Sequence, residues 1–195
     1  MANKILLTDC DGVLLDWETK FRAFAKRLGY RLRDTAVNAY STSEQYDISQ
    51  AEGSALIAKF NASSDFESLT PFKDSVEYIT RLKNENWKIV VITTAGDHPW
   101  TYGLRKSNLD QVFGQDAVDE LHILPLHGDK GIKLVDYMDS NLYWIEDKPS
   151  NAELGFKYGL RPLIMTNNHN LSYYGPVSRV NAWNEAYKII NDTTV

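Results

Sequence analysis

Two carboxylates two residues apart end an apolar run in LLTDCDGV: Asp9 and Asp11, followed by Gly12, which permits a sharp turn. With small residues around them, two such groups can share a hard cation. Three other stretches carry groups suited to phosphate. VVITTAG ends in Thr93, Thr94, Ala95 and Gly96, whose hydroxyls and backbone N–H groups can hold phosphate oxygens. HGDKGIK supplies Lys130, a mobile cation able to neutralise phosphate, and NLYWIEDKPSNA supplies Glu146 and Asp147 as further oxygen ligands. Mg²⁺ usually takes one or two carboxylates together with waters and substrate phosphate, and this set meets that demand.

These groups form one site only if the fold brings four separated segments together. Five short apolar runs, 4–8, 88–93, 120–124, 142–145 and 161–166, read as strands, each followed by a segment of helical periodicity. KILLT and KIVVIT are apolar almost throughout rather than alternating, the pattern of strands covered on both faces of a parallel sheet. The expectation is an α/β fold, a doubly wound (Rossmann-like) parallel sheet of about five strands. In such sheets the ligand lies outside the carboxyl ends of the strands, and the four groups fall there. Helical stripes at 72–86, 132–138 and 182–190 supply the covering layers.

The interval from Asp9 to Thr93 far exceeds the roughly 30 residues of a βαβ unit. The surplus falls in 16–70, with helix-like stretches at 17–28 and 49–60, and predicts a helical cap inserted after the first strand. The main body is then 1–15 and 71–195. With no flexible Gly/Ser linker, the cap is expected to pack against the body.

Composition agrees with one domain carrying an insertion: 195 residues, 43% hydrophobic, 12% aromatic and 24% charged. The 21 Lys and Arg against 26 Asp and Glu give a net charge of −5, so no global field draws nucleic acid or an anionic membrane. A phosphorylated substrate would need local positive charge. The single cysteine, Cys10, excludes an intrachain disulfide and a cysteine-rich zinc site. The N-terminal apolar stretch is too short for a signal peptide or a membrane span, so a cytoplasmic protein is expected, and the sequons at Asn61, Asn170 and Asn191 are chance matches.

DCDGV after a strand, Thr93 after a second, a lysine ahead of the fourth and EDKPSN after the fourth resemble the four ordered motifs of the haloacid dehalogenase (HAD) superfamily of phosphotransferases. An insertion between the first two motifs is similar to its helical-cap members. The resemblance implies that Asp9 is the nucleophile of an aspartyl-phosphate and Asp11 the general acid and then base. It also implies that Thr93 and Lys130 hold the transferring phosphoryl group and that Asp147, with Glu146, completes a Mg²⁺ site with Asp9 and the Asp11 carbonyl. A narrower resemblance covers LIMTNNHN and VSRVNAWNEAYKII, which look like the end of the 5′(3′)-deoxyribonucleotidases. It implies a (deoxy)nucleoside monophosphate as substrate, with Trp17, Phe21 and Tyr40 of the insertion available for base stacking. Where that family commonly has two Asp at the fourth motif, this chain has Glu146 and Asp147. The alternatives are a phosphotransferase or mutase of the same fold, and a non-catalytic ligand-binding module.

Other residues read more plainly. Lys133 lies one turn beyond Lys130 and could also reach the site, with helix spacing favouring Lys130. Lys148 reads as a solvated or structural partner. His98, His122, His127 and His169 show no metal spacing and read as surface or hydrogen-bonded structural groups. Cys10 points away from its neighbouring acids and reads as packing. Arg105 reads as a surface helix residue. The basic run Lys20, Arg22, Lys26, Arg27, Arg31 and Arg33 reads as a solvated helix face, with phosphorylated oligonucleotide ends as the sharper alternative.

Overall fold

The computed structural model describes residues 4–36, 38–96 and 98–192. Six strands form one sheet: β1 (Ile5–Thr8), β2 (Lys88–Thr94), β3 (Glu120–Leu124), β4 (Tyr143–Glu146), β5 (Arg161–Met165) and β6 (Ser178–Val180). Their order is β3-β2-β1-β4-β5-β6, and every pairing is parallel. The five expected strands are present within a residue or so at each end. The sixth is a three-residue edge strand with one buried residue, Val180, too short for a periodicity to register.

The apolar strands are explained by where alternate residues go. Leu6, Ile89, Val91 and Ile145 feed one core, while Leu7, Val90, Ile92 and Trp144 feed the other, so helices on both faces leave no wet side. The sheet reverses direction at β1, which lies between β2 and β4 with Thr8 opposite both Val91 and Ile145. Such a reversal opens a crevice at the strand ends.

Nine helices accompany the sheet among the described residues: α1 (Trp17–Arg27), α2 (Thr42–Tyr46), α3 (Gln50–Asn61), α4 (Ser64–Glu67), α5 (Ser75–Asn84), α6 (Pro99–Phe113), α7 (Gly131–Leu134), α8 (Pro149–Lys157) and α9 (Trp183–Asp192). The stripe at 132–138 resolves into one α-helical turn followed by a 3-10 turn. The first four helices lie between β1 and α5. The chain leaves and rejoins the sheet layer through paired segments: Asp16 N–H donates to the Thr70 carbonyl at 2.9 Å, and Phe72 N–H to the Leu14 carbonyl at 2.8 Å. Asp16 also caps α1, its side chain accepting from Thr19 N–H.

Within this helical layer Trp17 stacks on Phe21 with centroids 4.3 Å apart, and Phe60 meets Trp17, Phe21 and Phe24 edge-on. Phe21 is buried, so its ring belongs to the layer's own core rather than to a ligand-stacking surface. The buried face of the longest helix, α6, escapes sequence reading because three of its four buried residues, Thr101, Arg105 and Asn108, are polar and leave no apolar stripe.

Candidate active site

The four motif segments converge on a cavity of about 390 Å³ at the carboxyl ends of β1, β2 and β4, within the usual range for small-molecule sites. Asp9, Asp11, Thr93, Thr94 and Asp147 line it from the sheet side, and Tyr40, Gln45, Ser54 and Asn61 from the helical layer. Lys130 and Glu146 lie just behind. Asn61 bolts the layer to the sheet: its amide donates to the Ala95 carbonyl at 2.9 Å and its oxygen accepts from Trp17 Nε1 at 3.0 Å.

Asp9 Oδ1 accepts from its neighbour's backbone, Cys10 N–H, at 2.7 Å and lies 2.7 Å from Lys130 Nζ. The same ammonium donates to Glu146 Oε1 at 2.7 Å. Lys130 is buried; burial would lower its pKa, but Asp9 and Glu146 outweigh that and hold it above the ordinary lysine value. Lys133 instead lies on the surface, 3.6 Å from Asp136. Glu146 is saturated: Oε1 also accepts from Asn151 Nδ2, and Oε2 accepts from the Asp147 and Lys148 N–H groups. Burial pushes its pKa up, yet Lys130 and these donors bring it below the usual carboxylate value.

Asp147 is differently placed. Its own carboxylate has weaker company, Asn167 Nδ2 at 3.3 Å and His169 Nε2 at 3.5 Å from Oδ2. Burial, with Glu146 and Asp9 nearby, raises it well above the carboxylate range. Burial, helped by Glu146 and against the pull of Lys130, likewise raises Asp9 to about 7.

One oxygen each from Asp9, Glu146 and Asp147 lie within 4.8 Å of one another, facing a single lysine. A buried acidic excess of this kind fits a hard divalent cation. The turn at Gly12 keeps the approach open: its φ is +73°, and a Cβ there would lie 2.2 Å from Asp147 Oδ2.

The sign of the resulting pH dependence follows from Asp9. Its folded pKa, about 7, lies above the ordinary 3.8, so the folded state holds a proton that the unfolded chain releases between those values. In the metal-free protein Asp9 therefore lowers stability as pH rises from about 4 to about 7. Mg²⁺ should offset this. Melting in Mg²⁺ against chelator is expected to show a thermal shift that grows across that window; a shift independent of pH would contradict the crowded-carboxylate account.

LIMTNNHN, residues 163–170, enters the sequence reading only through its resemblance, with no site role for its side chains. Asn170 Nδ2 donates to the Asp147 and Met165 carbonyls at 2.7 and 2.8 Å, and Asn167 Nδ2 to the Gly12 carbonyl at 2.8 Å, tying the end of β5 to the acidic loops. Their position just past a strand end was the available signal. Asn61 and Asn170 are buried with their amides engaged, so neither sequon is open to a glycan. His127 lines the cavity, its Nε2 sharing a hydrogen bond with Ser54 Oγ at 2.9 Å, and His169 sits beside Asp147. Lys148 Nζ stands 4.9 Å from the Tyr40 ring centroid at the cavity edge. Cys10 is fully buried, and burial pushes its thiol pKa up, as packing requires. Arg105 departs most from expectation: it is buried and pairs with Asp11.

A sheet of this order with carboxylates at the ends of β1 and β4 is the fold of the HAD-like hydrolases. Among solved structures of that fold, a protein described as a predicted phosphatase from Clostridium acetobutylicum superposes with a TM-score of 0.71 at 15% identity, covering 98% of this chain and all of that one. A haloacid dehalogenase-like hydrolase from Streptococcus pneumoniae gives 0.68 at 13% identity over 96% and 98% of the two chains. CbbY from Rhodobacter sphaeroides, determined in complex with phosphate, gives 0.62 at 15% over 93% and 95%. Residues 3–194 match the family described as 5′ nucleotidase, deoxy (pyrimidine), cytosolic type C protein (NT5C), and the chain belongs to that family. An uncharacterised 32.4 kDa protein of Enterobacteria phage T4 is 30% identical over 113 residues, 55% of this chain; the chain spans about 40% of that relative's length. Among the described residues no helix is long and apolar enough to cross a membrane.

Proposed function

We propose that this chain is a Mg²⁺-dependent phosphomonoester hydrolase that works through an aspartyl-phosphate on Asp9, with a (deoxy)nucleoside monophosphate as its substrate. The observation that carries the reading is Asp9 itself, at the end of β1 in the cavity, with one oxygen fixed by Lys130 and Cys10 N–H. That fixation leaves Oδ2 to attack phosphorus. As the Asp9–phosphorus bond forms, the ester P–O bond breaks and Asp11 gives its proton to the leaving oxygen. Asp11 then takes a proton from the incoming water, and phosphate departs as Asp9 is regenerated. Thr93, Thr94 and Lys130 hold the phosphoryl oxygens throughout.

The Mg²⁺ ion would be held by Asp9, Asp147 and the Asp11 carbonyl, and when bound it neutralises phosphate charge. Glu146, whose oxygens already take four donors, would border the metal site chiefly by holding Lys130. Residues 16–70 act as the cap over a core of 1–15 and 71–195. The substrate reading draws support from the family and from the cap side of the cavity, where Ser41, Ser43, Gln45 and Ser54 offer neutral hydrogen-bonding groups and Tyr40 an exposed ring. Nucleic acid is disfavoured because Arg22, Arg27 and Arg33 of the basic run are engaged by Glu18, Asp65 and Asp47. A cytoplasmic setting, in keeping with a cytosolic-type family, belongs to the same proposal.

The test is phosphate release from nucleoside monophosphates, sugar phosphates, an aryl phosphate and phosphorylated oligonucleotide ends, with Mg²⁺ or chelator. Nucleoside monophosphates should give the highest kcat/KM, and chelator should abolish release. Transfer to an added alcohol in place of water would favour the phosphotransferase, and inertness toward all four classes a binding module.

A further inference from the structure

Two cations are buried beside the catalytic acids, and the reaction outlined above uses only Lys130. The other, Arg105 of α6, has no exposed side-chain surface. Its Nη2 donates to both oxygens of Asp11, at 2.6 and 2.7 Å. Its guanidinium carbon lies 4.0 Å from the centroid of Phe66, in α4 of the helical layer. Nε and Nη1 are buried with no hydrogen-bond partner.

This is a costly arrangement for a mere packing role. A buried arginine must recover a large desolvation penalty, and a buried ion pair replaced as a whole by well-packed apolar side chains is often as stable or more so. Arginine normally grips a carboxylate with two parallel N–H donors on different nitrogens, whereas here one nitrogen serves both oxygens and half the fork stands idle. A grip of that kind allows one Asp11 oxygen to turn toward a leaving group while the other stays held. The helix that carries Arg105 is also tied to the last part of the insertion: Ser107 Oγ donates to Glu67 Oε1 at 2.7 Å, and Asn108 Nδ2 to the Leu69 carbonyl at 3.0 Å. Arg105 thus touches the acid on one side and the cap on the other.

We infer that Arg105, itself packed against Phe66 of the insertion, is a positioning residue that sets the rotation of Asp11. The inference rests on the reading of Asp11 as the acid for the leaving group. A residue that only packs would slow every substrate alike. One that aims an acid matters where the leaving group needs a proton, and hardly at all where it does not.

The test measures the rate of phosphoenzyme formation with two monoesters, a nucleoside monophosphate with an alkoxide leaving group and an aryl ester of an electron-poor phenol. For Arg105→Met the alkyl ester should slow by about 10²-fold, the lower end of what a placed general acid contributes, and the aryl ester by less than about threefold. Arg105→Lys, which keeps the charge without the fork, should fall between Arg105→Met and the parent in the ratio of the two rates. In an Asp11→Asn background, replacing Arg105 should change neither rate by more than about threefold, because its effect passes through Asp11. Should Arg105→Met fail to fold, the Arg105→Lys ratio decides. Equal slowing of both esters, an unchanged ratio, or a full further loss in the Asp11→Asn background would overturn the inference. A parent protein inert toward both esters would sink the hydrolase reading instead.

Discussion

Asp9→Asn protein is expected to fold like the parent and to lose phosphatase turnover by a factor on the order of 10⁴ or more, the scale on which removal of a covalent catalytic group is felt. The amide oxygen can still accept from Lys130 and Cys10 N–H, the two groups that now orient Asp9 Oδ1. What disappears is the nucleophile, since an amide oxygen does not displace an alkoxide from phosphorus. Folding should be preserved for an electrostatic reason. The raised pKa of Asp9 means that its ionised form is disfavoured among the neighbouring acids, so a neutral isostere removes repulsion while Lys130 keeps Glu146. The check is steady-state phosphate release alongside a thermal melt. Loss of activity with a collapsed melting temperature would point to a structural role, and retained turnover would show that the nucleophile lies elsewhere.

Lys130→Met should be damaging in two ways at once. The side chain is buried with its ammonium 2.7 Å from both Asp9 and Glu146, and methionine fills similar volume without charge. Removing one partner of a buried ionic cluster leaves the others uncompensated, which costs about 3–5 kcal/mol. In a chain of this length that corresponds to a drop in melting temperature on the order of 10 °C. Turnover should fall with it, since the cation that orients the nucleophile and neutralises the phosphoryl oxygens is gone. Lys133→Met is the control. Its ammonium lies at the surface, 3.6 Å from Asp136, so it should shift stability by less than about 0.5 kcal/mol and leave activity unchanged. If the two variants behaved alike, the assignment of the site lysine would fail.

The strands that build the site were legible because burial on both faces forces continuous apolar runs, and KILLT and KIVVIT carry that signature without ambiguity. Their carboxyl ends then pointed to Asp9, Asp11, Thr93, Thr94, Glu146 and Asp147, and the structure brings all six to one cavity or its wall. Choosing Lys130 over Lys133 from helix spacing agrees with which of the two ammonium groups is buried.

The misreadings have a common physical origin, which is polar or aromatic groups buried for reasons that local pattern does not encode. Arg105 was read as a surface residue because cations usually are, and only tertiary structure reveals Asp11 beneath it. The helix that carries it buries Thr101 and Asn108 as well, so no apolar stripe marked its inward face. Phe21 was offered to a ligand, yet three other rings of the same layer already surround it. Glu146 reads as a metal ligand by type and position, and it does lie with Asp9 and Asp147 in one carboxylate cluster; what sequence does not show is that its oxygens also take four donors, from Lys130, Asn151 and the turn after β4.

The central claim, that Asp9 carries the phosphoryl group between substrate and water, is tested most directly by trapping. The protein is mixed with Mg²⁺ and a nucleoside monophosphate, quenched in acid within one turnover, digested and analysed by mass spectrometry. The account predicts one added phosphoryl group on the peptide containing Asp9, converted to homoserine at that position by borohydride reduction and absent from Asp9→Asn. Turnover with no phosphoenzyme, or with the phosphoryl group on another residue, would contradict it.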